Sequence, residues 1–415
     1  MNESILIIEP SGCGLGYITA AKKLGLTINV FSADKDDRVI PSMYKQYIDN
    51  LFVVDTNCLK AVKEKLQILL EKTALQAIIP GFEYYVDYCP KLNYIANLSP
   101  PWSDKANQVL RNKLVARQVI NNDGFKAPSF AEINHLSDLY FAAKKVNFPA
   151  VLKPLKFGGS IHVSKVNNLD ELNNAYRAMC QETWTEMGNQ VGNQAIIESY
   201  ISGPEYSVEG FIKNNKIVIL SITEKLLSPE PYFVEIGHIT PAPIGYNTQM
   251  IIEQYTKQII RNLGIYYGAF HCEIKMSQEG PLLIEIAGRP PGDHICDLIK
   301  LSTEVNYYEQ VLSAYLDKLT LLKRPNFKNF AGVCFITNNT GISGYLKKIQ
   351  GIDIISQNSS FITFYRTCNL GEFIPSLTSI RSRVGYAFFS NTNYKNVYDN
   401  VHKTNSIIQL DIDPV

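Results

Sequence analysis

Residues 273–290 read EIKMSQEGPLLIEIAGRP. Two short apolar runs flank Gln278-Glu279-Gly280, and a three-residue loop closing on glycine is a hairpin signature, because glycine suits the left-handed position such loops use. A hairpin centred on Glu279 sets Glu273 opposite Glu285. Side chains alternate along a strand, so His271, Glu273 and Lys275 share one face with Glu285, Ala287 and Arg289. Phe270, Ile274, Leu282, Ile284 and Ile286 fill the other. Two carboxylates directly opposed across a strand pair repel by up to about 1 kcal/mol, and by more where water is excluded. A hard divalent cation bound by both, and shared with substrate phosphates, removes that penalty. The plainer reading of the hairpin alone is a solvated face on which both glutamates point into water.

At 415 residues the chain exceeds one ordinary core, and two to three domains are expected. Hydrophobic residues make up 46% and charged residues 19%, the balance of a globular protein. The net charge is +1 and no basic tract or aromatic-interleaved basic stripe occurs, which argues against nucleic acid as a partner. No positive segment precedes the first apolar run and no stretch approaches the roughly 20 apolar residues of a membrane span, so the expectation is a soluble cytoplasmic protein. Eight scattered cysteines without C-x-x-C spacing read as reduced thiols, mostly core hydrophobes.

The first hundred residues alternate strand and helix signals: SILIIEP, GYITAAKKLG, TINVFSA, CLKAVKEKLQILLEKT, QAIIPG. That alternation predicts a parallel sheet covered by helices. Gly12-Cys13-Gly14-Leu15-Gly16 follows the first strand and Asp34 stands about twenty residues on, but a dinucleotide fingerprint needs a glycine where Tyr17 stands. One helix is expected from about Lys105 to Asn122, ended by the turn in DGFKAPSF. A compact mixed region follows: helix LSDLYFAAKKVN, strand PAVLKP, loop LKFGGS, strand IHVSKV, helix LDELNNAYRAMCQET and strand QAIIESYI. Glu205 to Lys225 reads as a long antiparallel hairpin turning at Asn214-Asn215, and beyond about Pro325 a strand-rich segment suggests a third, smaller domain.

Two stretches add chemistry. In FPAVLKPLKFGGSIHVSKV, Lys153 leaves an apolar strand ahead of a loop containing Gly158, Gly159 and Ser160, where free backbone N–H groups and a lysine charge suit phosphate oxygens. It is not a P-loop, and alone it also reads as a structural Gly-Gly turn. In AIIESYISGPEYSVEG a strand ends in backbone able to hydrogen-bond an adenine edge, with Glu205 placed to accept from ribose hydroxyls. His271, Glu273, Glu285 and His294 can also be read as a zinc set, although closed zinc sites prefer Cys and His at tight spacing.

The ordered set RNKLVAR, FPAVLKPLKFGGS, IIESYISGPEYSVEG, SITEK, GAFHCEIK and LLIEIAGRPPGDHI resembles the ATP-grasp superfamily, and within it the L-amino-acid ligase type of carboxylate–amine ligase. The resemblance covers nearly the whole chain. It implies an α/β and α+β multidomain fold: a Rossmann-like N-terminal domain over 1–104, a two-lobed ATP-grasp domain over 105–325 with a mobile lid at about 127–204, and a C-terminal α+β domain over 326–415. Lys113 and Lys153 look like the lysines that hold nucleotide phosphates, and Gly158, Gly159 and Ser160 resemble the glycine-rich flap. Glu198, Ser199, Tyr200 and Ile201 occupy the stretch that contacts adenine, Glu205 matches the ribose ligand, and Lys225 resembles a further phosphate contact. Glu273 and Glu285 match the carboxylates that bind magnesium, for which manganese substitutes. Arg289 matches the arginine that steadies the transferred phosphoryl group, and Glu235, His238, Gly292 and Asp293 fall at the substrate end. Ala287 departs from the pattern, standing where an asparagine metal ligand is usual, which implies a more weakly held ion.

By that resemblance the chain is an ATP-dependent ligase that makes an amide or dipeptide bond through an acylphosphate, with ADP and phosphate as co-products. Small-molecule carboxylate and amine substrates, and a homodimer as the commonest oligomer, complete the expectation. The rivals are a carboxylase-like or nucleotide-pathway ATP-grasp enzyme, and a catalytically silent ATP-binding module.

Overall fold

The run Ser4–Ile8 has no exposed residue, the mark of a parallel strand covered on both faces, and it forms the centre of the first sheet. The computed structural model describes residues 3–415; Met1 and Asn2, at the head of the expected N-terminal domain, lie outside the described residues. Ser4–Ile8 pairs in parallel with Thr27–Ser32 and Ala77–Pro80, and Asn50–Val53 adds to the outer side of Thr27–Ser32. The glycines that mimic a dinucleotide fingerprint pack the fold instead. A Cβ on Gly14 would lie 1.7 Å from the Gly81 carbonyl oxygen, and one on Gly16 2.3 Å from the Tyr308 ring.

Two further layers follow. Phe130–Ile133, Ala195–Ser199, Ala150–Pro154 and Ser164–Val166 form a four-stranded antiparallel sheet backed by the helices Leu139–Val146 and Leu169–Cys180. Of the expected strand over 161–166 only the last three residues are strand; Ile161–Val163 belong to the glycine loop, where Ser160 and His162 take positive φ. The large sheet has eight strands in the order Gly280–Ala287, Gly268–Ser277, Glu205–Lys213, Lys216–Leu227, Glu235–Thr240, Phe330–Thr337, Arg383–Asn391, Phe361–Arg366. The hairpin from Glu205 turns at Asn214 and Asn215, both at positive φ (49° and 62°), the backbone that two-residue hairpin turns need. The last three strands come from the segment beyond Pro325, so its backbone continues the sheet that carries the charged hairpin. We keep 1–104, 105–325 and 326–415 as a proposed division.

The hairpin itself differs from its expected form in a way that preserves its key pair. Ser277 pairs with Gly280, so the turn is Gln278-Glu279, with Gly280 at φ +108°. A bulge then shifts the register between Glu273 and Ile274, which sets Glu273 opposite Glu285 and leaves Ile284 as the extra residue. Leu283, not Leu282 or Ile284, therefore takes the buried place beside Ile286. No helix among the described residues is long and apolar enough to cross a membrane.

The helix expected over 105–122 is two helices, Asp104–Val109 and Lys113–Asn122. The first ends at Val109, and Asn112 caps the start of the second at φ −140°, its side chain accepting hydrogen bonds from the backbone N–H groups of Leu114 and Val115. Asparagine competes for these groups better than it sustains a helix interior. The break makes Lys113 the first helical residue, with its own N–H bonded to the Leu155 carbonyl at 3.3 Å. Replacing Asn112 with alanine should cost about 0.5–2 kcal/mol, read as a lower denaturant midpoint, and Asn112→Asp should restore most of it.

Candidate active site

Each strand of the bulged hairpin aims one carboxylate into the same cavity, and each carboxylate meets a separate cation. Glu273 Oε1 accepts from Lys225 Nζ at 2.6 Å and lies 3.3 Å from His271 Nε2. Glu285 Oε2 lies 3.4 Å from Lys113 Nζ, which also donates to the Phe157 carbonyl at 2.7 Å. Lys225, two strands away in the same sheet, further contacts Glu205 at 2.9 Å and Glu235 at 3.5 Å. Burial alone would pull its ammonium down, yet the carboxylates of Glu273, Glu205 and Glu235 outweigh it and hold its pKa well above the ordinary value. Burial likewise opposes charge on Glu273, but Lys225 and His271 prevail and hold its carboxyl well below the usual range. His271 is desolvated, but its contacts with Glu209 and Glu273 push it up to about 9, so the imidazolium persists at neutral pH.

The cavity wall gathers Lys113, Lys153, Gly158, Gly159, Ser160, Glu198, Ser199, Tyr200, Ile201, Glu205, Lys225, Glu235, Glu273, Glu285 and Arg289. These residues come from both antiparallel sheets, the glycine loop and one helix start. Of the remaining sequence-derived positions, Gly292 and Asp293 line a second, adjoining cavity. His238 is buried at 1% exposure, with Nε2 3.2 Å from Asp293 Oδ2. His294 does not join the hairpin glutamates: it contacts Asp297 at 3.0 Å and packs on Tyr386 at 4.0 Å. Among the described residues no group of three or more His, Cys, Asp or Glu side chains is arranged to hold an ion, which sets the zinc reading aside.

Several members act through one another. Glu198 is 2% exposed, with Oε1 accepting from Arg117 Nε at 2.6 Å and Oε2 from Lys153 Nζ at 2.7 Å. Burial opposes its charge, but Arg117 and Lys153 lower its pKa to about 2. Both oxygens are thus occupied, and what Glu198 does is aim Lys153. Arg289 donates to Glu83 of the parallel-sheet domain and, at 2.9 Å, to the Pro290 carbonyl. Ser160 Oγ donates to Glu235 at 3.2 Å, which lays the glycine loop over the cavity. Tyr200 and Phe233 face each other as near-parallel rings 6.3 Å apart, with Lys275 Nζ 5.2 Å from both ring centres.

Sequence reading passed over Arg117, Glu83, Phe233 and Lys275 as site residues. Arg117 had a signal, since it follows Lys113 at i+4 in RNKLVAR and so shares its helix face. Glu83 had none, because 206 positions separate it from Arg289.

A hard divalent ion fits this donor set. Two carboxylates directly opposite each other supply oxygen ligands, and magnesium completes its shell with water and substrate phosphates rather than a protein cage. Ala287, buried at 1%, offers no further oxygen from its side chain.

Residues 146–297 match the family model described as an ATP-grasp domain. An uncharacterized protein of Sinorhizobium fredii is 24% identical over 360 residues, covering 85% of this chain and 71% of that protein. Dapdiamide A synthase of Enterobacter agglomerans is 24% identical over 68% of this chain and 64% of its own length. Among solved structures, the L-amino acid ligase from Bacillus licheniformis superposes with a TM-score of 0.81 at 21% identity, covering 99% of both chains, a likeness of fold.

Because its folded pKa lies below the ordinary value of 4.5, Glu198 contributes stability above about pH 4.5 that is lost as pH falls through about 2. Glu198→Gln should flatten that acid limb in a pH series of unfolding curves. At neutral pH it should cost about 3–5 kcal/mol by leaving Arg117 and Lys153 without a buried counter-charge.

Proposed function

We propose that this chain, which carries an ATP-grasp domain, is an ATP-dependent carboxylate–amine ligase that forms an amide, most simply a dipeptide, through an acylphosphate, releasing ADP and phosphate. One observation carries the reading: four lysines, an arginine and two facing carboxylates share a cavity under a glycine loop, and a second cavity adjoins its Arg289 end. The sequence relatives and the shared fold support it.

A carboxylate is a poor electrophile and its oxygen a poor leaving group. Breaking the γ-phosphoryl bond of ATP and forming a P–O bond to the carboxylate gives a mixed anhydride. An amine nitrogen then bonds to the acyl carbon, phosphate leaves with the oxygen, and the nitrogen sheds its proton. Phosphoryl transfer asks the protein chiefly for positioning and charge. Lys113, beside Glu285, and Lys153, aimed by Glu198, meet the phosphates, and Lys225 sits at the hairpin beside Glu273. Arg289, anchored by Glu83, faces the transferring group. Tyr200, Ile201 and Phe233 form a slot suited to the adenine ring, and Glu205 to the ribose. The flap held by Ser160 and Glu235 excludes water from the anhydride. Glu273 and Glu285 would hold magnesium, or manganese in its place, which would supply charge neutralisation for the transfer.

Phosphate release measured over single and paired amino acids tests the reading. Release should depend on an amine acceptor; hydrolysis indifferent to acceptors, or stimulated by bicarbonate instead, refutes it. Glu285→Ala should lower turnover by about 10²-fold or more. The side chain of Glu285 is 31% exposed and makes a single 3.4 Å ion pair, so the unfolding midpoint of this variant should stay close to that of the parent.

A further inference from the structure

The loop that covers the first cavity is gripped from two other parts of the chain. Phe157 stands at the head of the glycine loop. Its ring centre lies 6.1 Å from that of Tyr84 in the parallel-sheet domain and 6.1 Å from that of Trp184, which follows the helix Leu169–Cys180. Each of those outer rings carries a guanidinium, Arg111 at 4.8 Å from the Tyr84 centre and Arg381 at 5.2 Å from that of Trp184. Arg381 also donates to Glu182 at 3.1 Å, and the same carboxylate oxygen lies 3.1 Å from Nε2 of His162 in the loop. The neighbouring Ile380 closes on Gly159, where a Cβ would come within 2.6 Å of its Cδ1.

Beyond Trp184 the chain makes a hairpin of two residues per strand, Thr185–Glu186 against Asn189–Gln190. So short a hairpin does not hold itself in water. Its turn residue Met187 sits at φ +52°, a backbone region that costs a residue with a side chain energy unless its surroundings fix it. The parallel-sheet domain supplies that fixing. The Met187 N–H donates to Asp37 at 2.5 Å, and its carbonyl accepts from Asn57 Nδ2 at 2.8 Å. Met187 is 2% exposed and belongs to an apolar cluster with Leu6 and Phe31 of that domain. The Tyr84 hydroxyl donates to Glu186. The hairpin tip thus owes its shape to its socket.

We propose that Trp184 and Met187 are positioning residues that latch the glycine loop shut during ligation, and so decide whether the acylphosphate meets the amine or water. This rests on the ligase reading above and adds what governs the fate of its intermediate. Neither residue lines either cavity, so each acts through the loop. With the latch engaged, the amine nitrogen bonds to the acyl carbon. With it released, the oxygen of water bonds there instead and phosphate leaves with its oxygen. One proton of the water passes to the phosphate and one to solvent, the carboxylate returns unligated, and one ATP is consumed without an amide.

The test uses the full chain with ATP, magnesium and the amino-acid pair that gives most amide in the phosphate-release survey, with phosphate and amide measured in the same sample. The parent should release about one phosphate per amide. Trp184→Leu keeps bulk but removes the ring faces, and should raise that ratio about threefold or more, while Trp184→Phe should return it close to the parent value. Met187→Gly should raise it too; glycine accepts the positive φ, so the change comes from the lost side chain. A ratio unchanged in Trp184→Leu and Met187→Gly overturns the latch even if turnover falls, since slower turnover at constant coupling is what a merely structural role gives. Should the unfolding curve show that Trp184→Leu does not fold, Arg381→Gln, at a side chain 35% exposed, decides in its place by the same ratio. Hydrogen exchange of residues 155–163 with ADP and magnesium needs no ligation. Trp184→Leu should speed it about fivefold, the worth of one aromatic pair, and equal rates in variant and parent defeat the latch alone. Phosphate release that no acceptor affects is a separate outcome: it defeats the ligase reading, and the fate assigned to the intermediate with it, and exchange then judges the latch by itself.

Discussion

Lys225 is the charge around which the rest of the site is arranged. Its ammonium, almost wholly buried, lies within 3.5 Å of carboxylate oxygens on Glu205, Glu235 and Glu273, each from a different strand of the large sheet. Without it three buried carboxylates would face one another, and each would have to take up a proton or water. A lysine in this position is as costly alone as the glutamates are, so neither partner is removable singly. The same logic repeats at smaller scale: Glu198 between Arg117 and Lys153, Glu83 between Arg289 and Arg111, and Glu209 against His271. In each of these groups a buried charge is held by partners of the opposite sign.

That arrangement explains what could be read from residue order. The pairing of Glu273 with Glu285 was legible because strand periodicity is strict and both residues sit within a dozen positions of one turn. The reading reached the right pair by a wrong route: a three-residue turn without a bulge and a two-residue turn with one give the same opposition at Glu273, and differ only in which of Leu282, Leu283 and Ile284 meets the core. Aliphatic residues on both faces left the pattern silent on that point. The single long helix over 105–122 failed for a related reason, since hydrophobic spacing runs on through Asn112 while the cap is decided by one side-chain oxygen.

Contacts made across the whole chain were not legible. Arg383 reaches Asp293 over 90 positions and Glu83 reaches Arg289 over 206, and no periodicity spans such distances. The C-terminal strands read as a separate unit because their own pattern is complete. Only the sheet order shows that they extend the hairpin layer and bring Arg383 beside Glu235 and Asp293. Glu198 was legible as a polar residue on an apolar strand, but its face was not: a glutamate aimed at ligand and one aimed at a neighbouring lysine have the same sequence signature.

Under the proposed function, the pairing of Lys113, Lys153 and Lys225 with glutamates also constrains how nucleotide and ion enter. A triphosphate that draws Lys225 and Lys113 toward its oxygens takes neutralising charge from Glu273 and Glu285 at the same moment. Two carboxylates opposed across one strand pair are then left undercompensated, since His271 contacts only Glu273 of the two and Arg289, which feels the charge of Glu285, is itself held by Glu83. A divalent ion delivered with the nucleotide restores the balance, since it is bound by the very oxygens the lysines release. Nucleotide and ion affinities are therefore linked through these two glutamates, each raising the other by the same factor, as reciprocity of binding free energies requires.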